Sequence, residues 1–163
     1  MVLDITEAKK YPSRSYSFDF KFTPQEMVLN NPLAKFVGNA RFKGSYIFSG
    51  GKVYVKGDIT YSMKYPCDRC LKKINYKDTI PFEEVFYEFS DDKSDYTYNG
   101  NLLDLAKPAD DYLILNMPLG MVCDKQCKGI CPQCGKNLNQ GSCDCQEQEI
   151  SRNPFSKLLG GKF

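Results

Sequence analysis

Alternation of apolar and polar residues dominates the first half of the chain. From Arg14 to Thr23, Tyr16, Phe18, Phe20 and Phe22 alternate with Ser15, Ser17, Asp19 and Lys21, the period of a half-buried strand. Val2 to Thr6 reads as a short strand before it, and Lys9 to Ser13 as a polar turn. Thr23-Pro24-Gln25-Glu26 carries the signals that open a helical turn, an early proline and a glutamate three residues after a threonine. Asn30-Asn31-Pro32 then breaks the chain. The strongest pattern lies between Phe36 and Tyr65. Phe42, Tyr46 and Phe48 share one face of a strand, and Ser49-Gly50-Gly51-Lys52 follows as a tight hairpin, because both glycines accept positive φ. The return strand sets Val53, Val55, Ile59, Tyr61, Met63 and Tyr65 on one side and Lys52, Lys56, Asp58, Thr60, Ser62 and Lys64 on the other.

That strand runs into Pro66-Cys67-Asp68-Arg69-Cys70. Beyond it Ile74, Tyr76, Ile80 and Phe82 keep even spacing, and Val85, Tyr87 and Phe89 continue after a phase shift. The C-x2-C pair is therefore expected at the tip of a second hairpin, with a bulge or an edge strand near Pro81. Ser90 to Asn101 reads as an acidic loop. A helix is predicted near 107–117, with Pro108 in its first turn, Asp110 and Asp111 near its positive end, and Ala109, Tyr112, Leu113 and Leu115 as its apolar stripe. Met117-Pro118 ends it. A short helix from Asn153 to Leu159, stopped by Gly160-Gly161, is expected near the end of the sequence.

These elements predict an α+β protein: a strand-dominated antiparallel sheet of long hairpins with one or two short helices and a Cys-rich zinc-binding C-terminal segment. The expected units are a β-rich domain over 1–122 and a cysteine-rich segment over 123–163 packed on it. The longest apolar runs fall far short of the roughly 18–20 residues of a membrane span. The stretch MVLDITEAKKYPS has no apolar signal-peptide core. The expectation is a cytoplasmic protein with no membrane partner.

A reducing compartment changes how the eight cysteines are read, because it favours metal ligation over disulfides. Six lie in CDKQCKGICPQCGKNLNQGSCDC, from Cys123 to Cys145, and Cys67 and Cys70 form the upstream pair. Thiolates at two- to four-residue spacing around glycine and proline suit a tetrahedral soft-metal site. Cys131-Pro132-Gln133-Cys134-Gly135 has the form of a zinc knuckle, which Cys143 and Cys145 can complete. Cys67, Cys70, Cys123 and Cys127 are then left to make a second site. Another partition joins Cys67 and Cys70 to Cys131 and Cys134, and the spacing satisfies both. The chain has no histidine, which excludes Ser-His-Asp and Cys-His catalysis and leaves zinc to sulfur first and carboxylate second. All-cysteine zinc sites are closed, so a structural Zn²⁺ is expected rather than a catalytic one. Glu83, Glu84, Glu88, Asp91, Asp92 and Asp95 read as a solvated strand face and loop.

Charge adds a second candidate surface. Residues 81–111 hold nine acidic side chains against two basic ones, so the small net charge of +2 hides a basic remainder. Lysines and arginines interleave with the aromatics of the strands, Lys21, Lys35, Lys64 and Lys77 among them. The chosen nucleic-acid contacts are Arg41, Lys43, Lys52, Lys56, Arg69, Lys72 and Lys73, with Tyr54 available to stack on a base. The bland reading of the same alternation is an aromatic core under a solvated lysine face. A zinc-thiolate redox switch, or redox-regulated chaperone, is the alternative function for the cysteines, since basic residues flank Cys67 and Cys70.

Cys67-Asp68-Arg69-Cys70-Leu71, the helix ending Leu115-Asn116-Met117-Pro118, the run from Cys123 to Asn139 containing CKGICPQCGKNLN, and Cys143-Asp144-Cys145 together resemble the YceD-type large ribosomal RNA subunit accumulation proteins. The resemblance covers roughly Val37 to the end of the sequence. It implies a non-enzymatic bacterial or organellar factor of ribosome biogenesis, needed for large-subunit ribosomal RNA to accumulate. The implied partner is large-subunit ribosomal RNA or a basic ribosomal protein, with no small-molecule substrate. Zinc is read from the cysteine spacing and not from the resemblance.

Overall fold

Two hairpins that share one long strand build the sheet. In the computed structural model, which describes residues 1–25, 31–88 and 96–145, β4 (Ala40–Ser49) and β5 (Lys52–Pro66) flank the Gly50-Gly51 turn, and β6 (Lys73–Glu88) returns along β5 from the cysteine tip. Gly50 and Gly51 have φ of 57° and 74°, the left-handed pair that such a turn requires. β2 (Ser15–Phe22) lies outside β4, and β3 (Lys35–Phe36) pairs with β5 beyond the end of β4. The order is β2-β4-β5-β6-β7, with β7 (Thr97–Tyr98) parallel to the end of β6. The sheet is therefore mixed, which corrects the all-antiparallel expectation.

Strand periodicity decides which face is dry. Phe42, Val53, Val55, Ile59, Tyr61, Phe82 and Phe86 are buried on one face. The opposite face carries Arg41, Lys43, Lys56, Lys64, Lys73 and Lys77, all exposed. Aromatic rings fill the dry side: Phe42 packs on Phe18 at 5.0 Å and on Phe82 at 4.8 Å between centroids. Covering that side are α1 (Thr6–Lys10), α2 (Ala106–Asn116), and a small ribbon of β1 (Val2–Asp4) paired with β8 (Leu102–Asp104). Tyr112 fastens α2 to β6, its ring 4.4 Å from that of Phe82 and its hydroxyl donating to the Glu83 carbonyl.

Several local expectations change. The turn read from Lys9 to Ser13 starts inside α1, a helix of five residues too short to show a periodic stripe. No bulge forms at Pro81: β5 and β6 stay in register through Asp58 opposite Pro81, and Phe86 continues the buried even positions. Val85 and Tyr87 belong to the other face, so the apparent phase shift was a change of side-chain type and not of geometry. The edge-strand half of that expectation agrees with the pairing, since among the described residues β6 has no second neighbour until Tyr87. An edge is where proline's missing N–H costs least. Leu115 is not part of the α2 stripe. It is 79% exposed, whereas Ala109 and Leu113, one helical turn apart, are fully buried. The acidic loop includes β7, and the chain reaches β8 just past it. Residues 23–25 show no helix, and the rest of the turn expected to open at Thr23 lies outside the described residues, as does the Asn153–Leu159 expectation.

Candidate metal centres and the basic sheet face

The cysteine tip of the β5–β6 hairpin is a loop closed by two backbone hydrogen bonds. Cys67 N–H donates to the Lys72 carbonyl at 2.8 Å, and Leu71 N–H to the Cys67 carbonyl at 2.9 Å. The second C-x2-C repeats it: Cys131 N–H donates to the Lys136 carbonyl at 2.8 Å, and Gly135 N–H to the Cys131 carbonyl at 2.9 Å. The flanking pairs also correspond, Pro66 opposite Lys73 and Ile130 opposite Asn137. The same knuckle is thus built twice. Both need a left-handed residue just after the second cysteine. Glycine fills it at Gly135 (φ 73°), but Leu71 (φ 61°) fills it in the first knuckle at a steric cost. Sequence reading finds the cysteine spacing and misses the repeat, because little besides the cysteines and one lysine matches.

Each knuckle is completed by a different downstream pair. The Sγ atoms of Cys67, Cys70, Cys123 and Cys127 lie within 4.8 Å of one another, as do those of Cys131, Cys134, Cys143 and Cys145. Cys67 and Cys127 are 3.9 Å apart and Cys70 and Cys123 are 3.5 Å apart. Four thiolates about 2.3 Å from one ion stand about 3.8 Å from each other, so the inner group has the dimensions of a tetrahedral site. Each group could hold one soft divalent metal ion. The partition that would join Cys67 and Cys70 to Cys131 and Cys134 is not the one the fold assembles.

Hydrogen bonds and mutual repulsion shape the thiols. Burial opposes ionisation of Cys67, but the N–H groups of Cys123, Cys70 and Arg69 outweigh it and bring the thiol down to about 6. The N–H groups of Cys134 and Gln133 lower Cys131, likewise to about 6. Cys123 is pushed up to about 12 by the neighbouring Cys70 thiol and by burial, and Cys145 to about 12 by Cys134 and burial. Within each group some thiols ionise easily and others resist, because thiolates at this distance repel. A bound dication removes that conflict.

The residues between and beside the cysteines hold the inner group together. Asp68 N–H donates to the Met121 carbonyl at 2.9 Å, while Asp68 Oδ2 accepts the Met121 N–H at 2.6 Å. Arg69 Nη1 donates to the Cys127 carbonyl at 3.0 Å. Asn139 Nδ2 reaches Cys127 Sγ at 3.4 Å, and Asn139 Oδ1 accepts the Lys128 N–H at 2.8 Å. Asp68 and Asn139 were not singled out from the sequence. Their short side chains next to a knuckle, able to cap free N–H groups, are the signal that was available. Arg69, read as a nucleic-acid contact, spends part of its guanidinium on this clasp.

The other proposed contacts, Lys72 apart, lie on the wet face of the sheet. Arg41, Lys43 and Lys56 line one shallow depression with Asp58, Thr60 and Thr79. Arg41 is paired with Asp19, and Lys56 Nζ lies 3.2 Å from Glu83. Lys52 sits at the far end, 4.8 Å from the centroid of the Tyr87 ring. Lys72 lies at the knuckle, in a cleft with Leu71, Cys70, Cys123 and Asn139. Lys73 shares the wet face with Lys35, Lys64 and Lys77, three lysines outside the sequence-predicted contacts. Their strand parity placed them there. No helix among the described residues is long and apolar enough to cross a membrane.

Comparison with known proteins adds the family. Over 58 residues the chain is 36% identical to a chloroplastic protein of Arabidopsis thaliana named large ribosomal RNA subunit accumulation protein YCED homolog 1, covering 34% of this chain and 18% of that one. The maize protein of the same name is 34% identical over 61 residues, 37% of this chain and 21% of its own length. An uncharacterised protein of Mycobacterium tuberculosis is 30% identical over 94 residues, 53% of this chain and 45% of that one. The matched region spans less than half the length of each of these relatives. No solved structure matches. The family model described as large ribosomal RNA subunit accumulation protein YceD matches residues 55–160, from near the start of β5 through both cysteine groups, and the chain belongs to that family.

Proposed function

We propose that this protein is a non-enzymatic factor for the accumulation of large-subunit ribosomal RNA, acting in ribosome assembly by binding precursor ribosomal RNA on the wet face of its sheet. The observation that carries the RNA reading is a long sheet with one face covered by helices and aromatic packing and the other left open and cationic. Lysines on a flat polar surface attract phosphate with little regard to sequence. In this reading Cys67, Cys70, Cys123 and Cys127 hold one zinc ion and Cys131, Cys134, Cys143 and Cys145 another. A closed four-thiolate zinc supplies folding energy, on the order of 10–16 kcal/mol of apparent binding in small modules.

The ribosomal-protein alternative relies on an acidic surface in residues 81–111, and the described carboxylates there give it less support. Glu83 faces Lys56, Glu84 accepts from Tyr112 at 2.8 Å, Glu88 lies 3.9 Å from Lys9, and Asp111 accepts from Tyr96 at 3.0 Å. They are spent on separate internal partners. Titrating the purified protein with large-subunit ribosomal RNA and with basic ribosomal proteins across a salt series tests the choice. RNA affinity that falls steeply with salt is the expected result. Tight binding to a ribosomal protein without RNA binding would move the function to the protein reading, and binding to neither would remove both.

A further inference from the structure

The wet face is not uniform, and its knuckle end is distinctive. Lys35 and Lys64 stand directly opposite each other across β3 and β5. Like charges in that position repel, and neither lysine has an ion-pair partner among the described residues. On the neighbouring strand, Lys64 faces Asn75, Ser62 faces Lys77 and Pro66 faces Lys73. All four lysines are exposed, and none is within ion-pair distance of a described carboxylate. The Arg41 end is different, since Arg41 and Lys56 are already neutralised by Asp19 and Glu83. At the knuckle end of β5 and β6 the cations have no carboxylate among them, whereas nearer the middle Arg41 and Lys56 are paired and Lys21 and Lys43, though outside ion-pair distance, share the field of Asp19.

The same end lacks a stacking surface. Its outward side chains between the lysines are Ser62, Asn75, Thr60 and Thr79, with the two threonine hydroxyls 3.0 Å apart. The aromatic residues of this stretch, Tyr61, Tyr65 and Tyr76, point to the dry side. Tyr54, 45% exposed on the wet face, is ten residues from Lys64 along β5, about 33 Å away in an extended strand. Single-stranded RNA is held largely by bases stacking on aromatic rings. A-form duplex RNA offers phosphates and 2′-hydroxyls across a shallow minor groove, which call for point charges and small polar donors.

We infer that the ligand of this end is double-stranded, A-form RNA, gripped through its backbone by Lys35, Lys64, Lys73 and Lys77 without base readout. The inference rests on the RNA reading above and names the RNA class. The test uses the metal-loaded full chain and three fluorescent probes: an RNA duplex of about two helical turns, one strand of the same RNA alone, and a DNA duplex of the same sequence. Expected is duplex RNA binding at least tenfold tighter than the single strand and tighter than DNA. Lys64→Glu with Lys77→Glu should lower duplex affinity at least tenfold and flatten the salt dependence by about two phosphate contacts, at unchanged melting temperature. Tyr54→Ala should leave duplex binding unchanged. Single-strand preference, with affinity lost in Tyr54→Ala, would overturn the duplex assignment and leave RNA binding standing. Failure of all three probes would overturn the RNA reading itself.

Discussion

The two cysteine groups use the same backbone loop and embed it differently. In the inner group, Cys67, Cys70 and Cys127 are buried, and the ligand set joins positions 60 residues apart. Asp68 and Arg69 bind the two segments together around it, and Asn139 ties Cys127 and Lys128 to the loop that follows. The outer group is contained between Cys131 and Cys145, leaves Cys134 exposed, and has Lys136 Nζ donating to the Ser142 carbonyl at 2.6 Å beside it. Closing the inner loop orders roughly two doublings more chain than closing the outer one, worth about 1 kcal/mol in loop entropy before any packing is counted. Knuckle geometry therefore does not set the structural weight of a cysteine group. Its setting does.

The largest effect expected from this difference is on the cysteines themselves. With zinc bound at both groups, Cys70→Ser and Cys134→Ser should each remove one of two zinc equivalents by metal analysis. Cys70→Ser should also abolish a single cooperative melting transition, while Cys134→Ser shifts it by a few degrees. Equal destabilisation would mean that the two groups carry the same structural weight, and loss of both equivalents in either variant would mean that they share a site.

A smaller effect tests the clasp without touching a thiol. Arg69→Ala removes the donor to the Cys127 carbonyl and should cost about 1–3 kcal/mol in chemical denaturation, with both zinc equivalents retained. Lys136→Ala, its nearest counterpart in the outer group, should cost no more than about 0.5 kcal/mol, as an exposed surface contact does. A larger loss from Lys136→Ala than from Arg69→Ala would reverse the assignment of inner and outer weight.

The smallest effect compares the knuckles at one torsion. Leu71→Gly should relieve its left-handed strain and raise stability by up to about 1 kcal/mol, whereas Gly135→Leu should lower it by about 1–2 kcal/mol. A Cβ at Gly135 meets nothing within 4 Å, so the penalty there is backbone strain and not collision. If Leu71→Gly destabilises instead, the side chain of Leu71, 58% exposed, is held by a contact the strain argument omits.

Much of the architecture was legible because alternation is a local property. The hairpins around Gly50-Gly51 and Cys67-Cys70, the inward set from Val53 to Tyr65, and the helix ended by Met117-Pro118 follow from period and turn chemistry alone. What escaped had no period to read. α1 has five residues and β7 two, and Val85 looked like a phase shift because an edge strand tolerates an apolar residue on its wet side.

Residue pattern is enough to expect two groups of thiols that could hold a soft metal, since eight cysteines stand at knuckle spacing with no histidine, and to expect lysines on one face of the strands. Tertiary structure alone decided which thiols meet. Spacing fixes only the two cysteines on one loop, while the pair completing the inner group depends on where α2 delivers the chain after Pro118, and the pair completing the outer group on how residues 135–142 fold back. The same holds for the lysines: parity places Lys64 and Lys77 on the wet face, but only strand order and register set Lys35 opposite Lys64 with no carboxylate between them.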